Sequence, residues 1–536
     1  MTVGQQNKRY TLCWHNIFAF ATVIFYKTKN QKAMKKIKTS KPIMTVLWIT
    51  ILMFFTVSVN LVAANEISDK EISNAVDRQL MLNATTPSHM IDVATYNGIV
   101  TLSGSVDNIL AKDRAVRTAE MVKGVRGVVD EIDIDAPPKT DEDLESDVRV
   151  ALINDPATNA FEVTVQANNG VVNLDGTLNS WQAKKLTEYV AKGVTGVKGI
   201  NNNIDIEYEL ERSDYEIEEE ISRAMAFDIR LDHALIEVEV DDGVVQLSGT
   251  VGSAAEKDLA IADAWVIGVN SVSADNLEVN EWARNENMRK DKFVDKTDEQ
   301  IRQAVKDAFL YDPRVFSFNP NVSVEDGYVT LTGTVDNLQA KRAAEYDARN
   351  VVGVLGVNNY MKVRPSEIPD DSALEERISS ALQQNPAVEK WEIDVTAING
   401  VVYLSGKVDS YFEKSRAADI AAKTSGVIDV NNNIDVMDDL DRGYWDYYGW
   451  NSYYPPMQDL DVPTLKTDNE IKNSIENHIW WSPYVNTDDV EISVDNGKAI
   501  LVGTVETEQE KLFAEINAFE GGASEVENNI LVLSSK

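Results

Sequence analysis

The chain has 536 residues and a formal net charge of −36, with 87 acidic side chains against 51 basic ones and a single cysteine, Cys13. So acidic a chain repels phosphate backbones, which argues against nucleic acid as a partner and against simple electrostatic adhesion to anionic lipid. With its only thiol near the amino terminus, the remainder can build neither a disulfide nor a thiolate metal site.

Residues 1–64 hold nine Lys and Arg and no Asp or Glu, leaving 42 basic and 87 acidic side chains downstream. Lys35, Lys36, Lys38 and Lys41 precede an almost continuous apolar run from Ile43 to Val62. Val62-Ala63-Ala64 then supplies the small or aliphatic residues a signal peptidase reads, so cleavage after Ala64 would start a mature, periplasmic chain at Asn65. Met34 is where such a signal would begin, which makes residues 1–33 an extension from an upstream start codon. The competing reading of 34–64 is a retained inner-membrane anchor, since about 20 apolar residues suffice to cross a bilayer. The lysines hold the amino end inside under either reading, with the rest of the chain in the periplasm.

Downstream, one pattern recurs six times. Each copy opens with a helix signal: Ser68 with Glu71, Ser213 with Glu216, Thr297 with Gln300 and Thr467 with Glu470 have capping-box spacing, and Thr140 with Asp143 is a weaker version. Apolar residues follow at every fourth position, as in Ile72, Val76 and Leu80 or Ile301, Val305 and Phe309, which lays one stripe on a short helix. A strand with alternating apolar residues comes next, such as Ile91 and Val93. It ends in Asn-Gly or Asp-Gly, and a partner strand repeats the alternation at Val100, Leu102 and Val106. A two-residue hairpin turn needs positive φ at both central positions, so Gly98, Gly170, Gly243, Gly327, Gly400 and Gly497 are predicted as structural turn glycines. A second glycine stands six residues after each, as at Gly104 and Gly333, and is expected to mark a bulge or a close helix approach. The second helix is rich in alanine and is expected to end at Gly124, Gly193, Gly268, Gly353, Gly426 or Gly521 in the left-handed conformation. A last strand closes the copy, and the asparagines of 201–203 and 431–433 at its entry are expected to serve strand-edge hydrogen bonding.

The capped first helix, the Gly-x-Val-x-Leu-x-Gly hairpin and the Gly-Val-x-x-Val-x-Asn-x-Ile close together resemble the BON-domain family. Its members include an osmotically inducible periplasmic protein with two such modules. The predicted fold class is α+β: six tandem small modules, each helix-strand-strand-helix-strand with helices packed on one face of a small sheet. Their expected bounds are 66–136, 140–208, 213–280, 297–364, 370–437 and 467–534. Residues 281–296 read as a charged linker and 438–465 as an aromatic and acidic insert. Ala499 replaces the usual valine in the sixth copy, and Asn319-Pro320 disturbs the first strand of the fourth.

The sequence offers no catalytic, cofactor-binding or metal constellation. His89, His233 and His478 fall in different copies without shared register, and the glycine elements lack the Lys-Ser/Thr of a phosphate loop. The candidate contact surface is instead Tyr444, Trp445, Tyr447, Tyr448, Trp450, Tyr453 and Tyr454 of the insert, whose rings could stack on sugar or lipid or simply pack on neighbouring modules. The resemblance implies a non-enzymatic exported envelope protein binding phospholipid, membrane proteins or other envelope components, with a place in osmotic or envelope stress. The alternative is a structural or adhesive array whose repeats are spacers and whose insert makes the contact. Lipid association, if it occurs, is not expected to follow bulk charge, because Glu207 to Glu278 alone holds 19 acids against four basic residues.

Overall fold

The computed structural model describes residues 67–81, 90–158, 161–208, 210–284, 296–365, 369–388, 393–408, 411–436, 467–482, 485 and 490–533. The leader and anchor readings, His89, most of the 281–296 linker and the whole aromatic insert lie outside these residues. Among the described residues no helix is long and apolar enough to cross a membrane.

All six modules have the order helix, strand, strand, helix, strand. In module one the first helix is Asp69–Met81, the hairpin is β1 (Ile91–Tyr96) with β2 (Ile99–Val106), the second helix is Ile109–Glu120 and the last strand is β3 (Gly127–Ile134). β2 is central: it pairs antiparallel with β1 and parallel with β3, the parallel step being made by the second helix. Val100, Leu102 and Val106 point inward and are buried, as are Ile72, Val76 and Leu80 of the first helix and Ala111, Ala115 and Ala119 of the second. The alternation of a strand and the four-residue period of a helix therefore meet in one core. Alanine on the second helix fits because three methyl groups bring the helix axis close to the sheet.

The helix starts are capped by their own side chains. Ser68 accepts from the Glu71 amide at 3.3 Å while Glu71 accepts from the Ser68 amide at 2.8 Å. Ser213, Thr297 and Thr467 make the same reciprocal pair with Glu216, Gln300 and Glu470. In module five the cap is Asp370, which accepts from the Ala373 amide at 2.8 Å.

A further contact joins helix to hairpin in every module. The aspartate opening each first helix accepts from both amides of the hairpin turn 28 and 29 residues later: Asp69 from Asn97 and Gly98, each at 2.8 Å. Asp141, Asp214, Asp298, Asp371 and Asp468 grip their own turns in the same way. Each carboxylate thus supports a helix amino terminus and satisfies two donors that hairpin pairing leaves open. Replacing Asp298 by alanine should cost module four about 1–3 kcal/mol. Urea unfolding and amide exchange at Gly327 measure it; an unchanged midpoint with unchanged exchange would contradict the role.

Two expectations need correction. The glycines near the second helix are not uniformly left-handed caps. Gly193 and Gly521 have negative φ as residues of the helix end, and the left-handed positions there are Gly196 at 98° and Gly522 at 106°. In modules one, three and four the left-handed glycine lies beyond the cap, where the chain turns toward the last strand. A Cβ on Gly124, Gly268 or Gly353 would stand 3.0–3.1 Å from the Cδ1 of Ile72, Ile217 or Ile301, so close packing on the first helix also selects glycine. Secondly, the middle asparagine of the last strand leaves the sheet edge. Asn202, Asn359, Asn432 and Asn528 donate to the carbonyls of Lys184, Lys341, Lys414 and Lys511 at 2.8–3.1 Å, tying the last strand to the second helix. Asn201 and Asn203 do bond across to the neighbouring strand, at Asn173 and Asp175. Module one, with Asp130 at the middle position, uses Lys112 instead, which reaches Asp130 at 3.0 Å and the Ile132 carbonyl at 2.6 Å.

From Ile67 to Lys536 the modules form one compact unit, with contacts that skip along the chain. Thr195 of module two donates through its amide and hydroxyl to the Gln384 carbonyl of module five, at 3.0 and 2.8 Å. Arg416 of module five donates to the Tyr189 hydroxyl of module two at 2.6 Å. Arg114 of module one sits 3.8 Å over the Phe412 ring of module five and 4.0 Å from Glu520 of module six. Ala254 of module three belongs to the core of module one, and Leu338 of module four to that of module five.

The contact of modules one and three holds an acid pair. Burial, then the Asp258 carboxylate, raises Glu120 to about 8, and burial raises Asp258 too, so the pair holds a proton. Because the folded value lies above the unfolded one, this contribution to stability is complete below the ordinary carboxylate range and is lost as pH rises from there through about 8. Glu120→Gln should therefore flatten that part of the stability profile, raising the melting temperature relative to wild type at pH 9 and not at pH 5. Equal shifts at both pH values would contradict the shared proton.

Candidate functional site: a cavity among modules two, three and four

The glycines singled out in the sequence occupy the second turn position of each hairpin. Gly98, Gly170, Gly243, Gly327, Gly400 and Gly497 have φ between 73° and 83°, and the Asn or Asp before each has φ between 49° and 53°. Both values are those of a two-residue hairpin turn, and the amides they present are taken by the helix aspartates described above. Among the described residues, one group of carboxylates lies close enough to hold a cation, Asp214, Asp241 and Asp242. Both Asp214 oxygens already accept from the Asp242 and Gly243 amides, so turn geometry accounts for the cluster. His233 lies in a short 3-10 turn of module three and His478 in the first helix of module six. The seven aromatic residues of the insert are outside the described residues.

The larger feature arises where modules three and four exchange side chains. Their first helices, Asp214–Phe227 and Asp298–Tyr311, are both 14 residues long and both end in an aromatic residue. Phe227 packs against the core of module four and Tyr311 against that of module three. Backbone bonds fix the exchange: Ile229 donates to the Asn350 carbonyl at 3.0 Å and Val352 to the Phe227 carbonyl at 2.9 Å. Tyr311 donates its hydroxyl to Glu220, which also pairs with Arg212, and Arg223 reaches Asp307 at 3.3 Å.

Immediately after each first helix an Asp-x-Arg loop repeats in equivalent register. Asp228 accepts from the Arg230 amide at 2.8 Å and its Nε at 2.9 Å, and Asp312 accepts from the same atoms of Arg314 at the same distances. The forked pair holds each guanidinium charged despite burial. Between these loops and the second helix of module two, Trp181–Lys192, lies a cavity of about 480 Å³. Its aromatic walls include Trp181, Tyr189, Phe227, Trp265 and Tyr346. Trp181 and Trp265 stack across the junction of modules two and three at 5.6 Å between ring centroids, 7° from parallel, and Gln182 donates to the Trp265 carbonyl at 2.8 Å. Asp347 of the second helix of module four, Leu338–Arg349, faces the same space. Burial, then the nearby Asp312 carboxylate, raises its carboxyl well above the usual range against the pull of Arg314 and Arg230, which favours the protonated form.

A concave space of this size, with aromatic walls and charged groups converging on it, is suited to a small-molecule ligand. The sequence carried the parts: the aspartates at constant spacing before each turn, and the two Asp-x-Arg loops. It carried no signal that modules two, three and four would face one another, because that depends on packing between surfaces distant in the chain.

The chain matches the BON domain over residues 68–136, 140–208, 213–281, 297–365, 370–438 and 467–534. It is similar to the "Osmotically-inducible protein Y" of Escherichia coli, 32% identical over 147 residues, which cover 26% of this chain and 73% of that protein. It is similar to the "Outer membrane lipoprotein DolP" of Haemophilus influenzae, 33% identical over 135 residues, covering 24% of this chain and 69% of that protein. An uncharacterized protein of Anaplasma centrale is 30% identical over 124 residues, covering 22% of this chain and 81% of its own length.

Proposed function

We infer function from the premise that the chain belongs to the BON-domain family, and propose a non-enzymatic, exported, envelope-associated protein that binds envelope components. One relative is by name osmotically inducible and another an outer membrane lipoprotein, which supports an envelope setting and a part in osmotic or envelope stress. The apolar run from Ile43 to Val62 after a lysine cluster supports export. The observation that carries the binding role is the cavity, built from three modules, which no single module could form. Phospholipid or a membrane protein is the partner class the family suggests for the outer surface, and the cavity would hold a smaller ligand. The competing spacer array is disfavoured by the contacts of module two with module five and of module one with modules five and six.

Fractionation of the producing cells, with mass spectrometry of the amino terminus, tests the setting. The expected product is in the envelope and begins at Asn65; an intact amino terminus on a cytoplasmic protein would contradict export. Sedimentation with neutral and anionic vesicles at two salt concentrations tests the surface role. Association is expected to persist at the higher salt, since so acidic a chain gains nothing from anionic headgroups. Binding to anionic vesicles alone, abolished by salt, would contradict it.

A further inference from the structure

We propose that the cavity among modules two, three and four binds a small primary ammonium compound with an apolar body. This rests on the cavity being a binding site, and adds the chemistry of what fills it. Two buried side chains on its wall stand out: Asn350 Oδ1 has no hydrogen-bond partner among the described residues, and Asp347 faces only the Asp312 carboxylate, with which it shares its proton. They stand three residues apart at the end of one helix, so both face the same side. Asn350 Oδ1 is an open acceptor, and Asp347 becomes one once its proton leaves, so a donor from the ligand recovers the free energy that each open buried acceptor costs. An ammonium group has three N–H donors and can serve both.

Charge selects the same class. Four cationic side chains line the cavity against six carboxyls. Arg212 offsets Glu220 from outside the wall, and a proton on Asp347 neutralises another, leaving four of each sign. Of the four cations, Arg230 and Arg314 are forked onto Asp228 and Asp312, Arg223 reaches Asp307, and Lys185 reaches Glu188 at 3.3 Å. An anion entering the cavity would therefore meet cations already engaged. A cation entering can replace the proton of Asp347 and leave the balance unchanged. The charged groups that act on that carboxyl are Asp312 and Arg314 from the loop of its own module and Arg230 from module three, and their opposing signs leave the ligand to decide the proton. The aromatic walls, with Trp181 and Trp265 already stacked, suit an apolar body and add cation–π attraction.

The test is isothermal titration of the mature protein at pH 7 with three probes of similar size: phenethylammonium, 2-phenylethanol and 3-phenylpropionate. Each is run in phosphate and in Tris, whose different ionisation heats report proton release. Phenethylammonium is expected to bind tightest and to release about one proton per cation bound, as linkage to a protonated carboxyl requires. Asp347→Asn mimics the protonated carboxyl in shape and charge and should keep the fold. It should release no proton and bind phenethylammonium at least about tenfold more weakly, the ion pair being lost. Ala308, on the first helix of module four, also lines the cavity, and Ala308→Phe, which would fill it, should abolish binding. If 3-phenylpropionate binds best and Ala308→Phe blocks it, the site stands and the cation assignment falls. If phenethylammonium binds without proton release, or equally well to Asp347→Asn, the assignment also falls. If none of the three binds, the cavity is not a site and both readings fail.

Discussion

Alanine at Gly104 or Gly249 should unfold its module far more readily than alanine at Gly333, although all three glycines hold the same place in the repeat. At Gly104 φ is 123° and a Cβ would lie 1.9 Å from the Met90 carbonyl oxygen; at Gly249 φ is 114° and the Leu235 oxygen would be 2.1 Å away. Neither contact can be relieved by turning a side chain, because the obstacle is the backbone entering the first strand. Strain from φ and the clash together should cost about 3 kcal/mol or more. Gly333 has φ of 134° but nothing nearer than 3.9 Å, so only the conformational cost remains, about 1–2 kcal/mol. Urea denaturation of the three single variants measures the difference. Equal losses at Gly249 and Gly333 would show that φ alone decides.

The contrast also shows how far the sequence can be read. Glycines six residues apart mark the hairpin in all six copies, and the alternation around them marks the sheet, because both follow from local geometry. What lies opposite the second glycine is not local. The expectation of a bulge or a helix approach gives way to a close pass of the preceding strand's backbone, in a ladder that pairs Ile91 with Gly104 without interruption. In module four Pro320 precedes a strand that begins only at Asn321, after a left-handed Asn319, and the second strand breaks at Gly333. The disturbance was visible as Asn-Pro, but the room it leaves around Gly333 was not. The aspartate fork is written in the spacing: an aspartate stands 28 residues before every turn Asn or Asp. The cavity was not legible at all, since Trp181, Trp265 and Asp347 meet only through packing between modules.

The second large effect is expected at the aromatic exchange between modules three and four. Phe227→Ala should destabilise module four as well as its own, and Tyr311→Ala module three, by about 2–4 kcal/mol each. Each ring packs on the partner's core, while the strand-like contact of Asp228 with Val351 holds the two modules in register. Hydrogen exchange resolved by module is the appropriate readout. For Phe227→Ala, protection should fall in the second helix of module four, Leu338–Arg349, which shares a core with that ring. Loss confined to module three would mean that the exchange is contact without coupling.

The cavity and the contacts between modules presuppose that the six modules form one body rather than a string. Small-angle scattering of the mature chain tests that most directly. A compact chain of this length should give a radius of gyration on the order of 23 Å, somewhat more with loops included. Six modules joined end to end without mutual contact would give on the order of 40 Å or more. A value near the first figure is the result expected from the contacts of Thr195 with Gln384 and Arg416 with Tyr189; a value near the second would contradict the shared body and, with it, the cavity.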